Sequence, residues 1–276
     1  MKNGLSVAAF TCFEHFVRER IAELLFAITS GPTLPPFQDL PEMLQTAATQ
    51  GVVEAIRFRL KTRADVLDTA AKVSLVQGHA EAIRSSAGPS YRISEWAFGW
   101  SSSNVGAGVL TDFLAACGAG SFSNDFDKVL EGIGFDYSAA GLAVNNRFRL
   151  SRVGAWRHEA AHDATLSIDI ELLRTRVTAY IAVALAFDYL ASFAVHILID
   201  SFGVYGSADR DHKFLRRMTM KPSAGGFNLA DENGQVLRTL YSVGHGKAEL
   251  SERDLPLDGV VVVEDAQGQV VDWFFR

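Results

Sequence analysis

The segment Trp156-Arg157-His158-Glu159-Ala160-Ala161-His162-Asp163 concentrates groups that move protons, bind metals or hold anions. It parses in two ways. His158 and His162 stand four apart, so a helix would put both imidazoles on one face with Glu159 beside them. That is the His-Glu-x-x-His pattern in which two histidines hold zinc and the glutamate activates its water. The surroundings fit this zinc-hydrolase chemistry poorly. Asp163 adds a charge directly after the second histidine. A third ligand is hard to place: Glu171 lies beyond an expected helix break, and Asp188 and His196 fall in the most apolar stretch. The second parse pairs Arg157 with His162, with polar His158 directly after the arginine.

Residues five apart on a straight helix point about 140° away from each other. Arg157 and His162 therefore need a second copy across a twofold axis to build a compact site, which predicts a homodimer if the pair is catalytic. The local charge suits a phosphate-rich substrate. No acidic residue lies between Asp136 and Glu159, while Arg147, Arg149, Arg152 and Arg157 all do. They form a basic strip of the kind a phosphate backbone requires. Phe148 and Trp156 are candidate stacking platforms for bases. The alternative for both arginines and aromatics is ordinary: a solvated helix face with the rings in the core.

Arg157-x4-His162 resembles the Arg-x4–6-His motif of HEPN domains, whose second position is commonly polar, as His158 is here. The motif follows an amphipathic helix, and Ile168 to Ala191 supplies a long last helix like the one such domains carry. Trp100-Ser101-Ser102-Ser103-Asn104, with the helices expected at Val109–Cys117 and Phe126–Ile133, is similar to the middle of bacterial HEPN proteins. The resemblance spans about residues 10 to 200 and is closest over 100 to 195. It implies metal-independent RNA cleavage by a helical dimer that needs no cofactor. The RNA's own 2′-hydroxyl attacks the adjacent phosphate and leaves a 2′,3′-cyclic phosphate. On that carry-over His162 is the general acid/base, Arg157 clamps the phosphate, and His158 orients the pair or touches substrate; Arg147, Arg149 and Arg152 bind RNA. The resemblance points to a toxin or antiviral defence effector, with an antitoxin or regulatory protein as a possible partner. Two other readings stay open: a non-catalytic HEPN-like module that binds RNA, a nucleotide or a protein, and the zinc hydrolase with His158 and His162 as ligands and Glu159 as base.

These residues need elements to hold them. Phe13, Phe16, Val17, Ile21, Leu24, Leu25 and Ile28 recur at helical spacing over Phe10–Thr29, and Val52–His79 does the same. Further helices are expected at Leu142–Ala161 and, capped by Ser167 or Asp169, through the apolar rows of Leu173 to Leu190. Asp125 is expected to cap the helix before Gly134. The texture changes near Gly203 to Asp211. Phe227–Ala230, Gln235–Val243, Gly259–Glu264 and Gln269–Phe274 read as strands, joined by turns at Asp231–Gly234 and Asp265–Gly268. Gly244-His245-Gly246 reads as a turn. The expected fold is α+β: a mainly helical, HEPN-like domain over residues 1–208, with its core near 100–200, then a small antiparallel β module over 209–276.

Composition narrows the rest. The chain has 276 residues, 48% hydrophobic and 21% charged, which excludes disorder or a long coiled coil as the main architecture. A net charge of −6 disfavours a protein that coats nucleic acid by bulk charge and leaves room for local basic patches. Cys12 and Cys117 lie in helix-like sequence, as free thiols of a reducing compartment do. The start of the chain lacks the tripartite pattern of a secretion signal, so a cytoplasmic location is expected. Val177–Ile199 is long enough to span a bilayer, but Asp188 and His196 are costly there, so a buried bundle helix and no membrane partner are expected. His15, His79 and His245 show no partner pattern in sequence.

Overall fold

The computed structural model describes residues 2–30, 34–100, 105–118, 122–132, 155–161, 168–201, 216–231, 233–251, 259–268 and 270–275. The expected α+β architecture holds, with helices preceding a small sheet. Helix α1 (Lys2–Ser30) starts eight residues before the expected Phe10 and buries Phe10, Phe13, Val17, Ile21, Leu24, Leu25 and Ile28 along one stripe. Helix α2 (Glu42–Thr46) passes through a π-helical turn, Ala47–Gly51, into α3 (Val52–Thr62). A Cβ on Gly51 would lie 2.6 Å from the Ala97 carbonyl oxygen, so glycine is what allows α3 to start against that loop.

The helix expected to run from Val52 to His79 is two. Asp68 caps α4 (Thr69–Ser85) by accepting from the Ala71 amide at 2.7 Å, and this ends the run at Thr62. Helices α5 (Ala107–Ala116) and α6 (Phe122–Gly132) follow. Asp125 sits inside the first turn of α6, only 3% exposed, rather than at its cap. Residues 155–161 form α7. The rest of the expected Leu142–Ala161 helix lies outside the described residues.

Helix α8 (Ile170–Ser201) is the centre of the bundle. Asp169 caps it, accepting from the Leu172 amide at 2.7 Å, as the sequence suggested. Ser6 meets Arg176, Phe10 and Phe13 meet Tyr180, and Arg20 meets Asp188. The partners rise together in number, so α1 and α8 run parallel. Val183, Leu185, Ala186 and Phe187 are fully enclosed, with Phe113 of α5 against Phe187. Among the described residues α8 is the one helix apolar and long enough to cross a membrane, and 72% of its most apolar window is buried inside the fold. Its charge is satisfied: Asp188 accepts from Arg20 Nε at 2.5 Å, Trp273 Nε1 at 2.9 Å and Ser192 Oγ at 3.0 Å.

The sheet corrects the expected β module. It has five strands in the order β3-β2-β1-β4-β5, not about four, and it is mixed rather than wholly antiparallel. Strands β1 (Arg216–Ser223), β2 (Gly226–Ala230) and β3 (Val236–Leu240) form antiparallel neighbours; β4 (Gly259–Glu264) pairs parallel with β1 and antiparallel with β5 (Val270–Phe275). The chain returns to lie parallel by a crossover containing α9 (Val243–Ser251), where Gly244-His245-Gly246 is helical instead of a turn. Both expected hairpin turns form. Asp231 Oδ1 accepts from the Asn233 and Gln235 amides, and Asp265 Oδ1 from the Gln267 amide. Side chains alternate across β4. Val260 and Val262 enter the helical core, while Val261 and Val263 join Met220, Leu229 and Leu250 on the other face. Phe16 and Asp188 receive Trp273 of β5, so the sheet is bolted to both α1 and α8.

Candidate functional site

The described part of helix α7, residues 155–161, is held in place by its tertiary contacts. Trp156 and Ala160, one turn apart, face inward at 5% and 7% exposure. Ala160 packs with Ile168 and Leu173, with Val7 and Val177 beside them. The Trp156 indole meets the Tyr180 ring edge-on at 6.0 Å, and the Arg176 guanidinium lies over it at 5.4 Å. Trp156 is therefore a core anchor and has no face left to offer as a base-stacking platform, which corrects that expectation. Phe148 lies outside the described residues.

Arg176 is the fastener. It is 3% exposed and comes from the second turn of α8. Its Nη2 donates to Glu159 Oε2 at 3.1 Å, and its Nη1 donates to the Trp156 carbonyl at 3.3 Å and to Ser6 Oγ at 3.5 Å. One guanidinium thus ties α7 to α8 and α1. Burial pushes the Tyr180 hydroxyl up to about 12, so the ring beside this cation stays neutral. Nothing in the sequence marked Arg176 except its place before an apolar helix; the tie joins residues 17 to 170 positions apart and is not local.

With Trp156 and Ala160 facing inward, Arg157 and His158 lie away from the packed face of α7. His158 is exposed, and Arg157 is half-buried on the adjacent position. The structure brings Arg157, His158 and Glu159 onto one turn. His162, Arg147, Arg149 and Arg152 lie outside the described residues. Glu159 has a definite role of its own. One of its carboxylate oxygens accepts from buried Arg176, whereas the zinc parse needs Glu159 turned to a water between two imidazoles. Among the described residues no three His, Cys, Asp or Glu side chains gather as a metal-binding group.

The remaining histidines are not as bland as their sequence contexts. His15 Nδ1 stands 3.8 Å from Glu19 on the exposed side of α1. His245 packs near the Tyr241 ring at 5.8 Å. His79 lies flat on Trp96 at 3.7 Å between ring centroids, with its Nδ1 2.8 Å from Ser94 Oγ. Burial holds its imidazole below the ordinary histidine range, opposed by the nearby Glu95 carboxylate. Cys117 is fully buried and its thiol is pushed up to about 12 by burial, while Cys12 is exposed; both are unbridged. Comparison of the chain with protein-family models, with curated proteins and with solved structures finds no match.

Proposed function

We propose that this chain is a metal-independent endoribonuclease of HEPN type, acting in the cytoplasm as a toxin or antiviral defence effector. The observation that supports it is the construction of α7. A buried tryptophan, a buried alanine and a buried arginine fix its inner face, and this leaves Arg157 and His158 on the other side. A helical segment fastened on one side and carrying a cation and an imidazole away from that side suits phosphodiester chemistry.

In this reading Arg157 binds the non-bridging phosphate oxygens through its guanidinium fork, where negative charge builds in the transition state. The ribose 2′-oxygen forms a bond to phosphorus as the bond to the 5′-oxygen breaks. His162 handles the protons: one leaves the 2′-hydroxyl and one reaches the departing 5′-oxygen, so charge balances. The products are a 2′,3′-cyclic phosphate and a 5′-hydroxyl end. A homodimer brings two Arg157/His162 pairs together, since one helix cannot aim both groups at one point. Arg147, Arg149 and Arg152 extend the RNA contact. An antitoxin or regulatory protein is the proposed restraint on such a nuclease.

The test is RNA cleavage by the purified full chain in excess chelator, beside Arg157→Ala and His162→Ala. The proposal predicts cleavage by the parent protein and its loss in both variants. Activity that disappears with chelator overturns it in favour of a metal hydrolase, and RNA binding without turnover selects a non-catalytic module.

A further inference from the structure

Five arginines of the described helices find carboxylates. Arg20 pairs with Glu23 and Asp188, Arg57 with Glu54, Arg84 with Glu81, Arg174 with Glu171 and Arg176 with Glu159. Half-buried Arg18, Arg59 and Arg157 depart from this pattern, and the first two stand together. Arg18 of α1 and Arg59 of α3 have no carboxylate partner among the described residues, and the Nε of each is buried without an acceptor. Glu14, one turn before Arg18, is turned elsewhere: it is 8% exposed, and its Oε1 accepts from the Val105 amide.

The two cations are held together by aromatic rings. The Arg18 guanidinium carbon lies 4.8 Å from the centroid of the Trp100 ring, and that of Arg59 lies 4.3 Å from the same ring. Trp100 stacks on Trp96 at 5.6 Å, and Trp96 stacks in turn on His79 at 3.7 Å. Arg59 also lies over Trp96, at 5.6 Å. The stack is built from α1, α3, α4 and the loop after residue 94, brought close by Gly51 against Ala97. Arg63, one turn beyond Arg59 and exposed, adds a third positive charge.

Two guanidiniums around one indole gain cation–π energy but repel each other, and burial strips water from both. Arg59 is accordingly pulled below the ordinary arginine range, by burial first and then by Arg63 and Arg18. Among the described residues no side chain supplies the acceptor these two cations lack, and a bound anion would supply it. We propose that Arg18 and Arg59, splayed on Trp100, form a binding site for a phosphate group, carried by an RNA strand or by a free nucleotide. Guanidinium forks match phosphate oxygens in geometry, and clamping by the indoles fixes them before the ligand arrives. The site is independent of the catalytic reading and uses neither Arg157 nor His162.

Isothermal calorimetry on the full chain tests it, with inorganic phosphate, a nucleoside monophosphate and a single-stranded RNA oligomer as probes. The expected result is binding by the parent protein and a loss of tenfold or more in Arg18→Ala and in Arg59→Ala, with Arg84→Ala, an exposed arginine paired with Glu81, unchanged. Arg59→Lys, which keeps the charge but not the fork, should also weaken binding; it carries the test if circular dichroism shows the alanine variants unfolded. Tighter, more salt-dependent binding of the oligomer than of the mononucleotide identifies a strand as the source, and equal affinities identify a free nucleotide. No heat with any probe, or parental affinity in folded Arg18 and Arg59 variants, overturns the proposal. Lost cleavage with this binding intact would sink only the catalytic reading, and the reverse would sink only this one.

Discussion

Replacing Arg176 with methionine isolates the fastening of α7. Methionine keeps much of the length and can still pack on Trp156, while the hydrogen bonds to Glu159 Oε2 and the Trp156 carbonyl disappear. Bonds from a charged donor are worth about 1.5–3 kcal/mol each when well enclosed. Two features reduce that here: the Glu159 side chain is 41% exposed, and the 3.3 Å bond to the carbonyl is long. About 1 kcal/mol apiece is the reasonable figure, and loss of the cation–π contact adds about 1 more. Against this, the substitution removes a buried guanidinium whose Nε finds no acceptor, which returns about 1 kcal/mol. The net is a local loss of about 2 kcal/mol, or an opening equilibrium for α7 about 30-fold more populated. Hydrogen exchange read by mass spectrometry, in the regime where exchange reports opening equilibria, should show the amides near the end of 155–161 losing protection by that factor. Amides at the centre of α8, around Val183 to Phe187, serve as the reference for global stability. If protection of 155–161 falls less than about threefold, or falls only in step with α8, Arg176 does not fasten this helix.

Other outcomes follow from the same structure. Asp188→Ala strands the Trp273 indole N–H and leaves Arg20 to Glu23 and water, so it should lower unfolding stability by about 3 kcal/mol, measured by urea titration; a loss under 1 kcal/mol would contradict the bridging role. A maleimide should label Cys12 in the native protein and reach Cys117 only on unfolding, since Cys117 is enclosed and its thiol is pushed up to about 12; equal native rates would refute that placement. Burial depresses His79, so the folded state favours the neutral ring: its stabilising contribution is complete above the ordinary histidine value of about 6.5 and is lost as pH falls below it toward the depressed folded value. His79→Gln should flatten stability against pH in that acid window, and an unchanged slope there would count against the burial.

Much of the fold was legible because its signals are local. Asp169 caps α8, Asp231 and Asp265 nucleate hairpin turns, and six of the seven apolar positions expected in α1 are buried along one stripe, with Phe16 partly buried beside it. The Asp68 cap was equally local, but continuous helical spacing on either side masked the break at 63–68. Strand β1 was missed because Arg216-Arg217-Met218-Thr219-Met220-Lys221-Pro222 mixes charge with a proline that cannot donate a ladder bond. Helix α9 was missed because its two glycines read as turn residues. Gly246 is there for space: a Cβ would come within 3.0 Å of Leu240 and Met220, so a small residue lets α9 lie on the sheet. Around the motif, spacing identified Arg157 and His158 but not what holds them. Arg176, Ser6 and Tyr180 are distant in sequence, as are Arg18, Arg59 and Trp100, and such clusters exist only after packing.

The most direct measurement is the chemistry of the cut ends, made in chelator on an RNA and on the same RNA with a single 2′-deoxyribose at the cleaved position. The expected ends are a 2′,3′-cyclic phosphate and a 5′-hydroxyl from the first, with no cutting at the substituted position of the second. Cutting at the deoxy position, or a 5′-phosphate on the product, would contradict this mechanism.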